Sequence, residues 1–390
     1  MNVWIEAPFD SLPVEGYRKQ RYWLMAEAFV RAGHRVVYWT SDFSHATKGK
    51  RRLESKVDGG FELRFIPTKP YRKNVGWARV RSHRSYAREW ERAATALAEQ
   101  ANGSPDLIVV SAPPVSTGPV AVRLARRFGA RLVVDVQDAW PETFYRLLPR
   151  GFRWIAWLLL WGMRRTIGEV YRQADLVTGV CDRYEALVKG YGAKEYYRAY
   201  LGIEGLGARR WGSGLWEQEF WSRERRVRLA YVGNLGKSYD LKTVLKGVAL
   251  LNREGLWTTL DVAGFGGRIK EGEFVKFHGM LGQEELRQLL ERCDIGVIPM
   301  RADSFVGIPN KLAEYANAGL RIVSSLPGEC ESLISRYRCG ATYQAGNYLS
   351  FAATVVKSIK FLPKDSRRMA EEEFAADIVY DAYCWKVCAR

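Results

Sequence analysis

Short apolar runs alternate with longer amphipathic stretches along almost the whole chain. An uninterrupted apolar run bounded by turn residues marks a strand buried on both faces, whereas apolar positions three and four apart mark a helix with one buried face. In the first half the runs are "NVWIEA" (2–7), "RVVYWT" (35–40), "FELRFIPT" (61–68), "DLIVVSA" (106–112), "RLVVDVQD" (131–138) and "LVTGV" (176–180). Helical stretches such as 17–32 and 116–128 lie between most of them. The pattern lapses over 202–226, where Gly, Trp and charge follow no period. It then resumes with "VRLAYVG" (227–233), "TLDVAG" (259–264), "FVKFHG" (274–279), "DIGVIPM" (294–300), "RIVSS" (321–325) and "ATYQA" (341–345). Such alternation predicts an α/β protein with parallel sheets. The lapse divides it into two doubly wound domains, 1–203 and 227–364, joined by a linker region over 204–226 and facing a cleft. A last segment, 365–390, reads as helical throughout and is expected to pack back toward the first domain.

In open parallel sheets, ligands bind beyond the carboxyl ends of the strands. The residues just after the runs are rich in glycine: "PVEGYR" (13–18), "GNLGKS" (233–238), "GFGG" (264–267), "HGMLG" (278–282) and "VGIP" (306–309). Glycine lets backbone N–H groups approach an anion at a helix start. One such loop is ordinarily only a turn. Five of them carry the expectation of an anionic ligand.

Composition narrows the partners. With 390 residues, the chain is long enough for two cores, and 47% apolar with 26% charged residues fits a globular protein. No segment reaches ~18 consecutive apolar residues, so none is expected to span a bilayer. Residues 1–7 read as a strand and not as a signal peptide. The six Cys are scattered without a CxxC pair, Cys384 and Cys388 standing four apart, and the four His are isolated in sequence. Reduced thiols, a cytoplasmic location and no metal are the expectation. The net charge of +17 favours anionic partners, and 14 Trp point to a membrane interface as readily as to nucleic acid. Residues 69–92, "KPYRKNVGWARVRSHRSYAREWER", interleave Tyr71, Trp77, Tyr86 and Trp90 with cations that include Arg79, Arg81 and Arg84. Residues 151–165, "GFRWIAWLLLWGMRR", place Trp154, Trp157 and Trp161 on one helix face, flanked by Arg153, Arg164 and Arg165. This second segment suits a helix lying on a membrane, or else a buried helix. The first suits the same surface, or else a solvated basic helix. No recognition helix, zinc motif or RNA-binding aromatic signature supports nucleic acid as a partner.

Five stretches, in this order, resemble one family: "RYWLMAEAFVRAGHRVVYWTSDFSH" (21–45), "DVQDAWPETF" (135–144), "YVGNLGKSYDL" (231–241), "FHGMLGQEELRQLLERCDIGVIPM" (277–300) and "GIPNKLAEYANAGLRIVSS" (307–325). Each is loose alone; their order and spacing resemble the retaining glycosyltransferases of family 4, which have the two-domain GT-B fold, in the bacterial surface-polysaccharide branch. The resemblance covers nearly the whole chain. It implies two Rossmann-like domains, the first for the acceptor and the second for a nucleotide-sugar donor. It further implies transfer with retention and no required metal or other cofactor. With the basic aromatic segments, it implies a lipid-linked saccharide acceptor met at the anionic inner face of the cell membrane, where the protein would be peripheral.

The same resemblance assigns residues. Glu314 is similar to the acid that accepts hydrogen bonds from both ribose hydroxyls of the donor, a task that suits a carboxylate; otherwise it is a solvated helix residue. The N–H groups of Gly307 and Ile308 would face the sugar or the diphosphate, and Pro309 near the helix start has no N–H to leave unpaired. The family pattern has a second Glu at position 306, where this chain has Val306. Either another group such as Asp303 handles the sugar, or the donor is a deoxy sugar, or activity is lost. Lys311 reaches a phosphate or pairs with Glu314. An Arg expected after the first strand of the second domain reads Asn234, leaving Lys237 for the diphosphate and Lys242 as the alternative. Amides near Gly233 and Gly236 would add to them, with Gly266 in the next glycine loop. His278, Gly279 and Met280 resemble the loop that touches the nucleobase. The loop with Gly16 approaches the donor phosphate or the acceptor, and Arg18, Lys19 and Arg21 add charge there. Asp138 orients the acceptor hydroxyl or caps a turn. His34 reads as a turn residue, and His45 has no assigned role. Catalysis means stabilising the departing diphosphate while the acceptor is held in place, so Asp138, Lys237 and Glu314 form the expected catalytic set. Two other readings stay open: a non-catalytic binding subunit, motivated by Val306 and Asn234, and an epimerase of the same fold.

Overall fold

The computed structural model describes residues 1–51, 56–73, 76–145, 150–205, 226–236, 238–267 and 269–389. It forms two compact units: residues 1–202 with 376–390, and residues 203–375.

The first unit is built on eight strands: β1 (Asn2–Glu6), β2 (Arg35–Ser41), β3 (Lys56–Asp58), β4 (Phe61–Ile66), β5 (Leu107–Ala112), β6 (Arg131–Val136), β7 (Leu176–Gly179) and β8 (Tyr196–Arg198). Their order is β3-β4-β2-β1-β5-β6-β7-β8. All neighbours are parallel except β3 against β4. Strand order reverses between β1 and β5, so a crevice is expected beyond their carboxyl ends. One face of the sheet packs Val3, Ile5, Leu107, Val109 and Val133 against Tyr22, Met25 and Phe29 of the helix Arg21–Arg31. The helix Ala376–Cys388 adds Tyr380, Tyr383 and Val387 to this core.

Arg21 belongs to the same core, which corrects its reading as a cation near the Gly16 loop. It is 4% exposed. Its Nε and Nη2 donate to the two oxygens of Asp135 at 2.8 Å each, and Nη1 donates to the carbonyls of Ala199 and Tyr200. A bidentate carboxylate pair with two carbonyls on the remaining amino group is how a guanidinium tolerates burial. Burial alone would raise the Asp135 carboxyl, but Arg21 more than offsets it and holds the group below its ordinary value.

The basic aromatic segment is corrected as well. In the helix Trp77–Ala98, Tyr86 and Trp90 are buried, as is Tyr71 ahead of it; among these aromatics only Trp77 faces solvent, at 81% exposed. The spacing of Tyr86 and Trp90 is that of an ordinary core stripe.

The second unit holds six parallel strands: β9 (Val227–Asn234), β10 (Thr258–Phe265), β11 (Val275–Gly279), β12 (Ile295–Ile298), β13 (Arg321–Ser324) and β14 (Gly340–Thr342). The order β11-β10-β9-β12-β13-β14 reverses between β9 and β12. Leu229, Tyr231, Val262, Ile295 and Val323 form its core with Val244, Val248 and Phe351 from the covering helices. Residues 365–390 are not helical throughout. A helix Pro363–Met369 runs into a π turn Ala370–Phe374, extended Ala375 breaks it, and Ala376–Cys388 follows. Most of the linker region, residues 206–225, lies outside the described residues.

Candidate functional site

In the second unit, side chains converge where the strand order reverses. β9 ends in Gly233 and Asn234. Gly233 has φ +128°, and a Cβ on it would sit 2.7 Å from Lys311 Nζ, so both its conformation and its lack of a side chain are used. Lys311 is 6% exposed. Its ammonium lies 4.1 Å from the ring centroid of Tyr239 and 5.2 Å from that of Tyr231. Two ring faces partly replace the water it has lost. Of the two readings for Lys311, this placement at the end of β9 suits the phosphate.

The loops after β9 and β12 are fastened to each other. Asp240 N donates to Pro299 O at 2.7 Å, and Arg301 N donates to Ser238 O at 3.0 Å. Asp240 also caps the helix Leu241–Arg253 by accepting from Thr243 N. The helix Asn310–Asn317, by contrast, starts at Pro309 with no side-chain cap. Gly307 and Ile308 are buried just ahead of it, and half-buried Glu314 lies one turn past Lys311. The glycine loop after β10 closes on Asn234: Leu235 N donates to Phe265 O at 2.8 Å, and a Cβ on Gly266 would meet Asn234 Oδ1 at 2.7 Å. Gly236 is nearly as close, at 3.0 Å. At the end of β11, His278 Nε2 lies 2.6 Å from Asp261 Oδ1. That contact holds the ring on β10 and leaves the backbone at Gly279 and the 78% exposed Met280 to face outward. Lys237 lies outside the described residues. Lys242 is exposed on the first turn of its helix, Asp303 lies 3.5 Å from Arg301, and Val306 is half-buried. A cation, an uncapped helix start and glycine-rich loops at the end of a parallel sheet have the chemistry to hold an anion.

The first unit has its own cluster beyond β1, β5 and β6. Glu6, the last residue of β1, is fully buried. Its Oε2 accepts from the Ser111 N and Oγ at 3.2 Å each, and Oε1 has no partner. Burial pushes its carboxyl up to about 8, so it is a neutral acid at pH 7. Ser111 lines a small cavity with Pro113, Asp138, Trp140 and Tyr171. Asp138 is exposed on one side but crowded by protein on the other. That desolvation raises its carboxyl, against the Trp140 hydrogen bond and the Arg79 charge. His83 stacks on Trp140, with centroids 6.3 Å apart and 24° between planes, and packs on Phe9 at 4.8 Å. Arg79 lies 5.2 Å from the Trp140 ring, and its Nε donates to His83 Nε2 at 3.2 Å. Burial, then the Arg79 charge, push His83 down to about 3, so it is a neutral imidazole. His45, pushed down to about 4 by burial and by Lys48, contacts the Tyr71 hydroxyl. Aromatic faces beside an Arg, a His and an Asp can hold a sugar ring and orient its hydroxyls.

Gly16 ends a 3₁₀ turn, Pro13–Glu15, with φ +84°, and Arg18 beside it is exposed. Arg51 holds this loop through Glu15 Oε1 at 3.2 Å and the Asp10 carbonyl. Arg79 thus joins the Asp138 cluster, whereas Arg81 and Arg84 stay exposed on the same helix. Trp154, Trp157 and Trp161 are 66%, 51% and 52% exposed, which answers the buried-helix alternative. They do not share one helix: Arg153–Leu159 and Trp161–Gln173 abut at Leu160. Beside them runs a groove of ≈ 400 Å³ lined by Trp157, Trp161, Arg164, Arg165, Arg172 and Lys189.

The sequence reading missed Glu6, His83, Trp140 and Tyr239. Glu6 carried a signal, an acid closing an apolar strand run. The others depend on which loops meet, which spacing does not encode.

The comparisons with known proteins agree with this architecture. A family model described as "Glycosyl transferase 4-like domain" matches residues 19–199, and one described as "Glycosyl transferases group 1" matches residues 226–360. A search of curated protein sequences finds no match. Among solved structures, the fold is similar to a sucrose-phosphate synthase from Thermosynechococcus elongatus (12% identity, TM-score 0.70, all of both chains covered). It is also similar to Alr3699/HepE from Anabaena in complex with UDP-glucose (13%, 0.64, covering 100% of this chain and 99% of that one). A third is WaaG, a glycosyltransferase involved in lipopolysaccharide biosynthesis (14%, 0.62, all of both chains covered). With both units matched to glycosyltransferase domains in the expected order, the chain belongs to the family-4 type of glycosyltransferases with the GT-B fold.

Proposed function

We propose that the protein transfers a sugar from a nucleoside-diphosphate donor, with retention, to a lipid-linked saccharide during synthesis of a bacterial surface polysaccharide. The observation that supports the donor most directly is Lys311, buried over Tyr239 and Tyr231 beside Gly233 and one residue past an uncapped helix start. In this reading Lys311 and the N–H groups of Gly307 and Ile308 neutralise the diphosphate as it departs, doing what the family's Arg would do at Asn234. Glu314 accepts from the ribose diol, and Asn234, Gly236 and Gly266 shape the wall opposite. His278, Gly279 and Met280 meet the base. Asp138 accepts from the acceptor hydroxyl, with the sugar ring against Trp140. Solved relatives by fold bind UDP, glucose and UDP-glucose by their titles, and one is a lipopolysaccharide enzyme. The exposed Trp154, Trp157 and Trp161 beside Arg164 and Arg165 suit docking on the anionic inner leaflet, where a lipid-linked acceptor is presented.

The test is thermal unfolding with UDP, GDP, ADP and CMP at millimolar concentration. A ligand at ~100 times its Kd adds ~2.7 kcal/mol. One nucleotide is expected to raise the midpoint, and Glu314→Ala or Lys311→Met to remove the rise. No response to any of the four, with anionic lipid present, would sink the donor assignment. A nucleotide response without sugar transfer to any lipid-linked acceptor would favour a binding subunit.

A further inference from the structure

Three residues from distant parts of the chain meet at the amino end of the first sheet, away from Glu6 and Asp138. His34 occupies the turn between the helix Arg21–Arg31 and β2. Cys384 and Cys388 stand one turn apart on the helix Ala376–Cys388. The ligand atoms of all three lie within 4.8 Å of one another, and His34 Nε2 is 3.5 Å from Cys388 Sγ. His34 is the turn residue the sequence suggested, and the fold brings it beside the two cysteines, whose spacing alone gave no such partner.

The atoms suit a particular kind of cation. Zn²⁺ takes thiolate sulfur at about 2.3 Å and imidazole nitrogen at about 2.0 Å in tetrahedral geometry. Neighbouring donors are then roughly 3.5 Å apart, a contraction that small side-chain rotations supply. None of the three cysteine or histidine donors is committed to a disulfide, and Cys384 and Cys388 are both free thiols. Cys384 is buried, whereas His34 and Cys388 are half-buried, so an ion has a way in. The backbone is already positioned. Arg31 pairs with Asp381 at 2.6 Å, Lys386 pairs with Glu195 at 2.6 Å, and Tyr383 and Val387 are fully buried. Phe29 packs on the His34 ring at 6.0 Å between centroids.

We propose that His34, Cys384 and Cys388 form a three-ligand Zn²⁺ site that pins the last helix to the first αβ turn. Binding releases two thiol protons, puts the His34 Nε2 lone pair on the metal, and leaves the ring proton on Nδ1, 3.4 Å from the Met1 amino nitrogen, with water in the fourth position. The site touches no reacting atom and is independent of the sugar-transfer reading.

The experiment uses the full chain, tag-free and reduced, loaded with Zn²⁺ and dialysed before metal analysis. One Zn²⁺ per chain is expected, falling at least tenfold in Cys388→Ala and in His34→Gln. Zn²⁺ over EDTA should raise the unfolding midpoint of the parent chain by roughly 4 °C and leave both variants unmoved. Co²⁺ in place of Zn²⁺ should give thiolate charge-transfer absorption and tetrahedral visible bands. These two positions are half-buried, so circular dichroism matching the parent separates loss of metal from loss of fold. Zn²⁺ content unchanged by both substitutions overturns the proposal. So does a missing thiolate–cobalt band, or intact-mass evidence that Cys384 and Cys388 are joined as a disulfide in metal-free protein.

Discussion

At the end of β1, one carboxyl group sets a pH response for the whole first unit. Glu6 titrates near 4.5 when exposed and at about 8 when burial surrounds it. Between those values the unfolded chain has released a proton that the folded chain still holds. Stability therefore falls as pH rises from about 5 to about 8 and levels off above. At 1.36 kcal/mol per unit, the loss amounts to about 5 kcal/mol at most. Glu6→Gln keeps an acceptor for Ser111 and removes the titration. Urea unfolding at pH 5, 6.5 and 8 should show a falling midpoint in the parent and a flatter one in the variant. Equal slopes would place the cause elsewhere. Some slope should survive, because burial pushes Asp10 up to about 7 as well, against the pull of Arg51. Asp135 acts in the opposite sense: Arg21 holds it down, so its contribution is present above the ordinary carboxylate range and fades in acid. None of this could be read from residue type. Arg21 looked like a ligand-facing cation because its partner lies more than a hundred residues away, and only the fold brings Asp135 to it.

Elements were far more legible than partners. Parallel strands covered on both faces must be apolar throughout, so twelve of the runs in the sequence reappear as strands within a few residues of their ends. The two strands that escaped, β3 and β8, are three residues long, lie at the sheet edges and carry charge or tyrosine. An edge strand needs no apolar run, because one side of it faces water. The tryptophan segment shows the opposite limit. Its spacing could not separate a buried stripe from an exposed one, and the exposure of Trp154, Trp157 and Trp161 decides it. Because these rings pack so little, replacing all three with Gln should leave stability within about 0.5 kcal/mol per site. Sedimentation with vesicles containing anionic lipid should fall at least tenfold, and the parent's binding should weaken as added salt shortens the Debye length. Unchanged sedimentation would remove this face from the membrane reading.

At the scale of the molecule, the lapse over 202–226 falls between the two sheets, and the first unit is discontinuous: it takes in residues 376–390, part of the segment 365–390 that the sequence reading expected to pack back toward the first domain. The helix Ala376–Cys388 lends Val379, Tyr380, Tyr383, Cys384 and Val387 to a core whose other buried members all precede residue 200. A chain ending at residue 375 should therefore express as an aggregating or protease-sensitive first unit, while residues 203–375 remain resistant in limited proteolysis. A protease-resistant first unit in that shortened chain would contradict the packing described. The same arrangement has a consequence during translation. Residues 1–202 leave the ribosome with Phe29 and Met25 uncovered on the face that the last helix will occupy. At about 5–20 residues per second, that helix follows on the order of 10–30 s later. The second unit, whose core is contiguous in sequence, can be complete before the first. The nascent amino-terminal half is thus a natural client for a holding chaperone, and slow synthesis would harm it more than the half that follows.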